Sequence, residues 1–193
     1  MGLAISDDDG NTWEKFSEGP IFSSSYKEPG YIGTINILIE NGLWRMWYLS
    51  CFDWVKSDVG LEPIYNIKYA TSTNGIDWDP KGITCIPLDN DEGGISSTRV
   101  IKTKEKYEMG YSIRNKFDYR ENPKNSYRIK KSTSNDGIVW DKNHNIDLDV
   151  SIENDWESVM VCYPYVIKKE NKLIMFYNGN EDNPFLRFGI KNF

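Results

Sequence analysis

One tight turn, written three times, limits this chain more than any other feature. Ser72-Thr73-Asn74-Gly75-Ile76-Asp77-Trp78 recurs as Ser134-Asn135-Asp136-Gly137-Ile138-Val139-Trp140, and in longer form as Ser6-Asp7-Asp8-Asp9-Gly10-Asn11-Thr12-Trp13. Asn or Asp followed by Gly supplies the positive φ angles of a tight hairpin turn, and the Trp three residues after the Gly can fold its ring back over the backbone. The copies stand about 64 residues apart, the period of a supersecondary unit rather than of a helix.

A second series lies between the turns. Asn36–Tyr48, Arg99–Tyr111 and Tyr165–Tyr177 each read as two alternating strands around a polar turn, and each closes on Met-x-Tyr. Strands are also expected at Tyr65–Ala70 and Tyr127–Ser132, before two of the turns, and an outer strand at Gly82–Pro87. No stretch has helical period over a useful length. The expected fold is all-β: a β-propeller of three four-stranded blade-like repeats at 23–88, 89–150 and 151–193, because sheets that cannot bury both faces alone pack radially. A β-sandwich is the alternative, but it gives no reason for a periodic turn. The third repeat stops in its third strand, while 1–22 is an end-of-blade with no hairpin before it. The N-terminal strand is therefore expected to clasp the open edge of the last sheet and complete it. Three blades make a tight ring, so either a closed monomer or a homodimer that combines its sheets fits the pattern.

Charge and composition narrow the partners. With 29 acidic against 23 basic residues and a net charge of −6, neither nucleic acid nor an anionic membrane is an expected partner. Apolar runs such as Ile35–Ile39 fall far short of the ~20 residues that span a bilayer, and no leader pattern opens the chain, so a soluble, cytoplasmic protein is expected. Cys51, Cys85 and Cys162 form no metal or disulfide spacing, and His144 is the single histidine. Asp89, Asn90 and Asp91 lack the spaced ligands of a calcium loop. No metal or cofactor is expected.

Several segments form a recognisable set: Gly2–Ser6 with Asp9-Gly10 and Gly19-Pro20-Ile21, Trp44–Tyr48, Ile67–Ser72, and above all Trp156-Glu157-Ser158 running into Met160–Val166, with Met175–Asn180. Together they resemble the C-terminal part of the glycosidase-like five-bladed propeller family, related in fold to arabinanases, invertases and levansucrases. The resemblance covers nearly the whole chain, shortened to about three blades. In those hydrolases an acidic residue on the first blade's inner strand is nucleophile or base, and that blade has no counterpart here. The resemblance implies the fold strongly and glycosidase chemistry weakly.

Inner strands of a propeller line its channel, and each repeat places a glutamate just before its first strand: Glu28, Glu92 and Glu157. If they meet at one mouth, mutual repulsion separates their proton affinities and permits acid and base roles. The structural alternative is that they cap strand entries or pair with Lys or Arg. Arg99, where the other repeats carry Asn36 and Tyr165, suits an anionic group on a ligand, or a salt bridge to one of the glutamates. Arg114 and Asn180 occupy equivalent positions beyond the Met-x-Tyr strands and are expected to read sugar hydroxyls or a phosphate. Tyr163, Trp54, Trp156 and Phe52 are candidates to stack on a sugar or base, although most aromatics here are expected to pack between blades. The expected function is a hydrolase cleaving a glycosidic bond or the anomeric phosphate bond of a sugar nucleotide. The alternatives are a non-catalytic sugar-binding propeller and a fragment completed by a partner chain.

Overall fold

The computed structural model describes residues 1–58, 60–142, 146–153, 155–170, 172–180 and 187–192, with backbone alone at 155, 187–189 and 192. His144, Leu186 and Phe193 lie outside the described residues.

Among the described residues the regular structure is strand apart from one short 3-10 helix. A short hairpin of β1 (Ala4–Ile5) and β2 (Glu14–Lys15) comes first. An antiparallel meander follows, made of β3 (Ile32–Glu40), β4 (Leu43–Ser57), β5 (Gly60–Ser72) and β6 (Asp79–Thr84). A second meander repeats it with β7 (Glu92–Lys102), β8 (Tyr107–Asn115), β9 (Arg128–Ser134) and β10 (Ile146–Leu148). The third comprises β11 (Val161–Lys169), β12 (Lys172–Gly179) and β13 (Arg187–Asn192), entered through a one-turn 3-10 helix at Asp155–Glu157. The outer strand of the first unit begins right after Trp78, three residues earlier than its apolar run suggests, because the turn itself delivers the chain to the sheet edge.

The turn chemistry is the same in all three copies. The Ser6, Ser72 and Ser134 hydroxyls accept the N–H of Gly10, Gly75 and Gly137 at 2.9, 2.9 and 2.8 Å. Each glycine has φ between +74° and +86°, and the indole N–H of Trp13, Trp78 and Trp140 donates to that glycine's carbonyl oxygen at 3.0–3.1 Å. In the first turn the backbone and hydroxyl of Thr12, then Ser6, hold the exposed Asp8 carboxyl down at about 2.

Alternation along each second strand decides what packs between units. Trp47, Leu49 and Cys51 of β4 meet Met109, Tyr111 and Ile113 of β8 in the largest buried cluster. Met175 and Tyr177 of β12 meet Ile129 of β9 in the same way. The Met-x-Tyr motif thus faces the preceding unit each time. Inner strands are cross-linked as well: the Val100 N–H donates to Asn36 Oδ1 at 2.8 Å and the Ser97 N–H to Thr34 Oγ1 at 3.1 Å.

Among the described residues the N-terminal strand does not join the third sheet. β1 takes β2 as its partner, the Met1 ammonium donates to the Phe22 carbonyl oxygen, and Phe22 and Met1 rest on Met46, Tyr48 and Ala70 of the first unit. The physical reason is the same alternation: the Met46/Tyr48 face of β4 needs a cover on its preceding side, and 1–22 supplies it.

Near the ends of the inner strands, Glu40 joins the first two units by accepting from Arg45, Lys102 and Tyr107. Burial opposes its charge, but hydrogen bonds from Lys102, Tyr107 and Arg45 outweigh it and bring the carboxyl from 4.5 to about 2. Between those pH values the unfolded chain binds the proton more readily than the native one, so the stabilisation is complete above pH 4.5 and is lost as pH falls towards 2. Urea midpoints taken across that range are expected to fall less steeply in Glu40→Gln than in the parent. Parallel slopes would show that Glu40 is not held low.

Candidate functional site

The inner strands β3, β7 and β11 begin at one end of the sheets, and there the β4–β5 hairpin overhangs its neighbours. β3 pairs with β4 only up to Ser50, whereas the β4–β5 ladder continues through Asp53↔Ile64 to Ser57↔Gly60. This arm carries Trp54, 48% exposed, edge-to-face with the 40% exposed Tyr31 at 6.1 Å. Burial and the nearby Tyr65 and Cys51 push the Tyr31 hydroxyl up to about 12, so it is a neutral donor across the physiological range.

Behind the arm lies Arg114, only 1% exposed. Its Nε donates to the Tyr65 hydroxyl at 3.0 Å, and its terminal nitrogens donate to the carbonyl oxygens of Asn115 and Pro63 at 2.9 and 2.6 Å. The guanidinium lies 3.9 Å from the Tyr119 ring centroid and 4.9 Å from that of Tyr65. Arg114 therefore locks the arm to the second unit from inside. Gly94 makes room for this: a Cβ there would come within 2.3 Å of the Tyr65 ring.

In the same cluster the buried Glu62 on the arm accepts from the Tyr119 hydroxyl at 2.7 Å and pairs with Arg120, whose guanidinium lies 4.3 Å from the Tyr119 ring centroid. Tyr65 and Tyr127 share a hydrogen bond at 2.8 Å, and Tyr127 meets both Tyr119 and Tyr163 at ring distances of 6.0 and 6.1 Å. Burial first, and Tyr65 second, push the Tyr127 phenol far above its ordinary range. Tyr163 sits in a bulge of β11 at φ +56°, its N–H donating to Ser112 Oγ at 2.7 Å.

The three glutamates are all buried, and each is held by partners of its own unit. Glu28 accepts from Tyr48 at 3.0 Å and Lys68 at 2.7 Å, two side chains paired across β4 and β5. Glu92 accepts from Lys142 at 2.6 Å, Lys130 at 3.3 Å and the Asp89 N–H at 2.7 Å. Glu157 accepts from Tyr177 at 2.9 Å, and Trp156 stacks on that tyrosine at 5.6 Å. Each carboxylate thus lies over the second strand or its neighbour within its own unit, on the face towards the preceding one. Tyr177 faces Gly189 across its ladder, where Tyr48 and Tyr111 face Lys68 and Lys130. Burial and then Glu157 itself raise the Tyr177 phenol to about 12. Asn180 holds this segment in place, its Oδ1 accepting from the N–H groups of Val159 and Met160 at 2.9 and 3.3 Å.

Arg99 and Asn36 lie elsewhere. Gly94 is the β7 partner of Arg114, and Arg99 stands roughly 16 Å further along the strand, opposite Gly110. It donates from Nε to the Val166 carbonyl oxygen at 3.0 Å and lies 4.5 Å over the Tyr165 ring, rather than pairing with any of the three glutamates. Asn36 is the inter-unit strut described above. Sequence reasoning missed Glu62, Tyr65, Tyr119, Arg120 and Tyr127. The available signal was three aromatic residues, Phe117, Tyr119 and Tyr127, in a highly polar stretch from Asn115 to Arg128; the two tyrosines are buried and Phe117 is exposed.

No family model matches the sequence. The chain is 26% identical over 184 residues to "Uncharacterized protein Rv1502" of Mycobacterium tuberculosis (strain ATCC 25618 / H37Rv), a match covering 93% of this chain and 56% of that protein. It spans about half the length of the curated relatives it matches. Among solved structures, one described as "Glycoside hydrolase" superposes with a TM-score of 0.73 at 17% identity, over 99% of this chain and 56% of that one. A second, Zg3597, a family 117 glycoside hydrolase produced by the marine bacterium Zobellia galactanivorans, gives 0.68 at 15% identity, over 89% of this chain and 55% of that one. The fold is therefore that of the glycosidase-type propellers.

Proposed function

We propose that this chain is a carbohydrate-active module of hydrolase type whose sugar-binding surface is the end where the inner strands begin, and that its three units are consecutive propeller blades. The observation that carries the reading is the exposed Tyr31–Trp54 pair on the overhanging β4–β5 arm. Flat rings of this kind take the apolar face of a pyranose or furanose. The fold shared with glycoside hydrolases along almost the whole chain agrees with this assignment but does not supply a substrate. The bond cleaved is glycosidic or the anomeric phosphate bond of a sugar nucleotide.

Of the three glutamates, Glu157 is the one we assign to proton transfer. Glu28 and Glu92 are each bound by lysine, as a structural carboxylate would be. Glu157 lies in Trp156-Glu157-Ser158, the segment that most resembles the glycosidase-type propellers, and the assignment rests on that resemblance. A second reading, sugar binding without turnover, is favoured by the same lysine pairs, because they take two of the three carboxylates out of chemistry. A panel of aryl glycosides and sugar nucleotides decides between them. Turnover that falls roughly 10²–10⁴-fold in Glu157→Gln, with unchanged thermal melting, supports the hydrolase. Thermal protection by an oligosaccharide without turnover selects the binding module. Neither turnover nor protection, or protection that survives Trp54→Ala undiminished, overturns the sugar-binding surface.

A further inference from the structure

At the opposite end of the inner strands the surface chemistry reverses. Along β7, Glu92 and Lys102 are separated by roughly 30 Å. There a groove of about 390 Å³ opens between the second and third units, with Leu38, Val100, Val166 and Leu173 along its floor. Its charged lining is Arg99, Lys102, Lys104, Lys168 and Lys172, and no Asp or Glu belongs to it. On a chain with net charge −6 this is a pronounced local inversion. Lys102 is balanced by Glu40. Among the described residues, Lys104, Lys168 and Lys172 have no ion-pair partner. Arg99 spends Nε on the Val166 carbonyl oxygen and is braced against the Tyr165 ring, which fixes the plane of its fork and leaves the two outer nitrogens for a ligand.

From this we infer a second binding site, for a small solute carrying two or more anionic groups, seated between Arg99 and the lysines of the β7–β8 and β11–β12 turns. Three features argue against a merely solvated basic edge. The cations come from two separate hairpins and converge on one cavity. That cavity is of ligand size and has an apolar floor on which a ring or chain can lie. A planar guanidinium is held rigid in it by contacts that do not neutralise it. Phosphate and carboxylate share the required chemistry, and the test separates them.

Titration calorimetry at low ionic strength is performed on the whole chain with inorganic pyrophosphate, with digalacturonate and with glucose as a neutral control. The site predicts saturable one-to-one binding of pyrophosphate, of digalacturonate or of both, none of glucose, and loss of affinity between about 20 and about 300 mM NaCl. The preferred probe identifies the anion class. Lys168→Gln/Lys172→Gln is expected to weaken that binding roughly tenfold or more, and Arg99→Gln to weaken it with little change in melting temperature. Lys27→Gln, a lysine outside the groove, matches the charge change of Arg99→Gln and is expected to leave the affinity unchanged. Absence of saturable binding to either anion, or an equal loss in the Lys27→Gln control, overturns the site. Neither outcome bears on the sugar surface at the other end, which Trp54 and Glu157 test separately.

Discussion

Replacement of Arg114 by methionine is expected to cost about 2–4 kcal/mol of unfolding free energy and to lower the urea midpoint by roughly 1–2 M without changing the slope. The argument rests on what remains when the guanidinium is removed. The Pro63 and Asn115 carbonyl oxygens and the Tyr65 hydroxyl lose a charged donor inside the protein, and no water replaces it at a position 1% exposed. Methionine restores volume but not hydrogen bonds, and it cannot stack flat between the Tyr65 and Tyr119 rings. Lysine keeps the charge and loses the fork, so Arg114→Lys is expected to fall between the two. The loss is also spatially specific. Because Arg114 ties the arm to the second unit, protease cleavage near Ser57 is expected to accelerate in the methionine variant before the sheets themselves open. An unfolding free energy within about 0.5 kcal/mol of the parent would show that the arm is anchored by something other than Arg114.

This anchor explains why part of the molecule is legible from sequence and part is not. The turns are legible because their chemistry is local: Ser, Gly and Trp within a few residues make every bond that defines them. The inner hairpins follow from alternation, and Met-x-Tyr marks the face that packs on the preceding unit. The arm is hidden because Phe52–Leu61 alternates weakly and is mostly solvent-facing, so its strand character comes from pairing rather than from a buried face. The glutamates show the opposite difficulty. Their regular spacing correctly signals equivalent positions, but equivalence arises from a shared structural partner, a tyrosine on the second strand for Glu28 and Glu157, as readily as from a shared site. Arg114 reads as a ligand-binding cation because sequence displays charge and conceals burial. Residues 1–22 point to the wrong sheet edge because an unpaired edge at the far end of the chain looks like the larger need, whereas the uncovered Met46/Tyr48 face lies nearer.

The largest single stability loss is expected at a position the repeat does not mark. Trp47 corresponds to Gly110 in the second unit and Phe176 in the third, so no internal comparison singles it out. Its side chain is fully buried, and its indole N–H crosses from the first unit to the Gly137 carbonyl oxygen of the second at 2.8 Å. That oxygen also accepts from Trp140 at 3.1 Å, and the two indoles meet edge-to-face at 6.3 Å. Arg45 completes the grip by donating to the Asp136 carbonyl oxygen and to Tyr69 and Tyr107. Trp47→Ala leaves a cavity at the junction and is expected to cost about 3–5 kcal/mol, whereas Trp47→Phe, which keeps most of the bulk and loses the bond, is expected to cost about 1–3 kcal/mol. If Trp47 holds two units together rather than one sheet in shape, the alanine variant should also lose cooperativity: strand amides of the second unit should exchange before those of β4 and β5 in native-state hydrogen exchange. A uniform rise in exchange across both units would assign Trp47 to a single shared core instead of a joint between two.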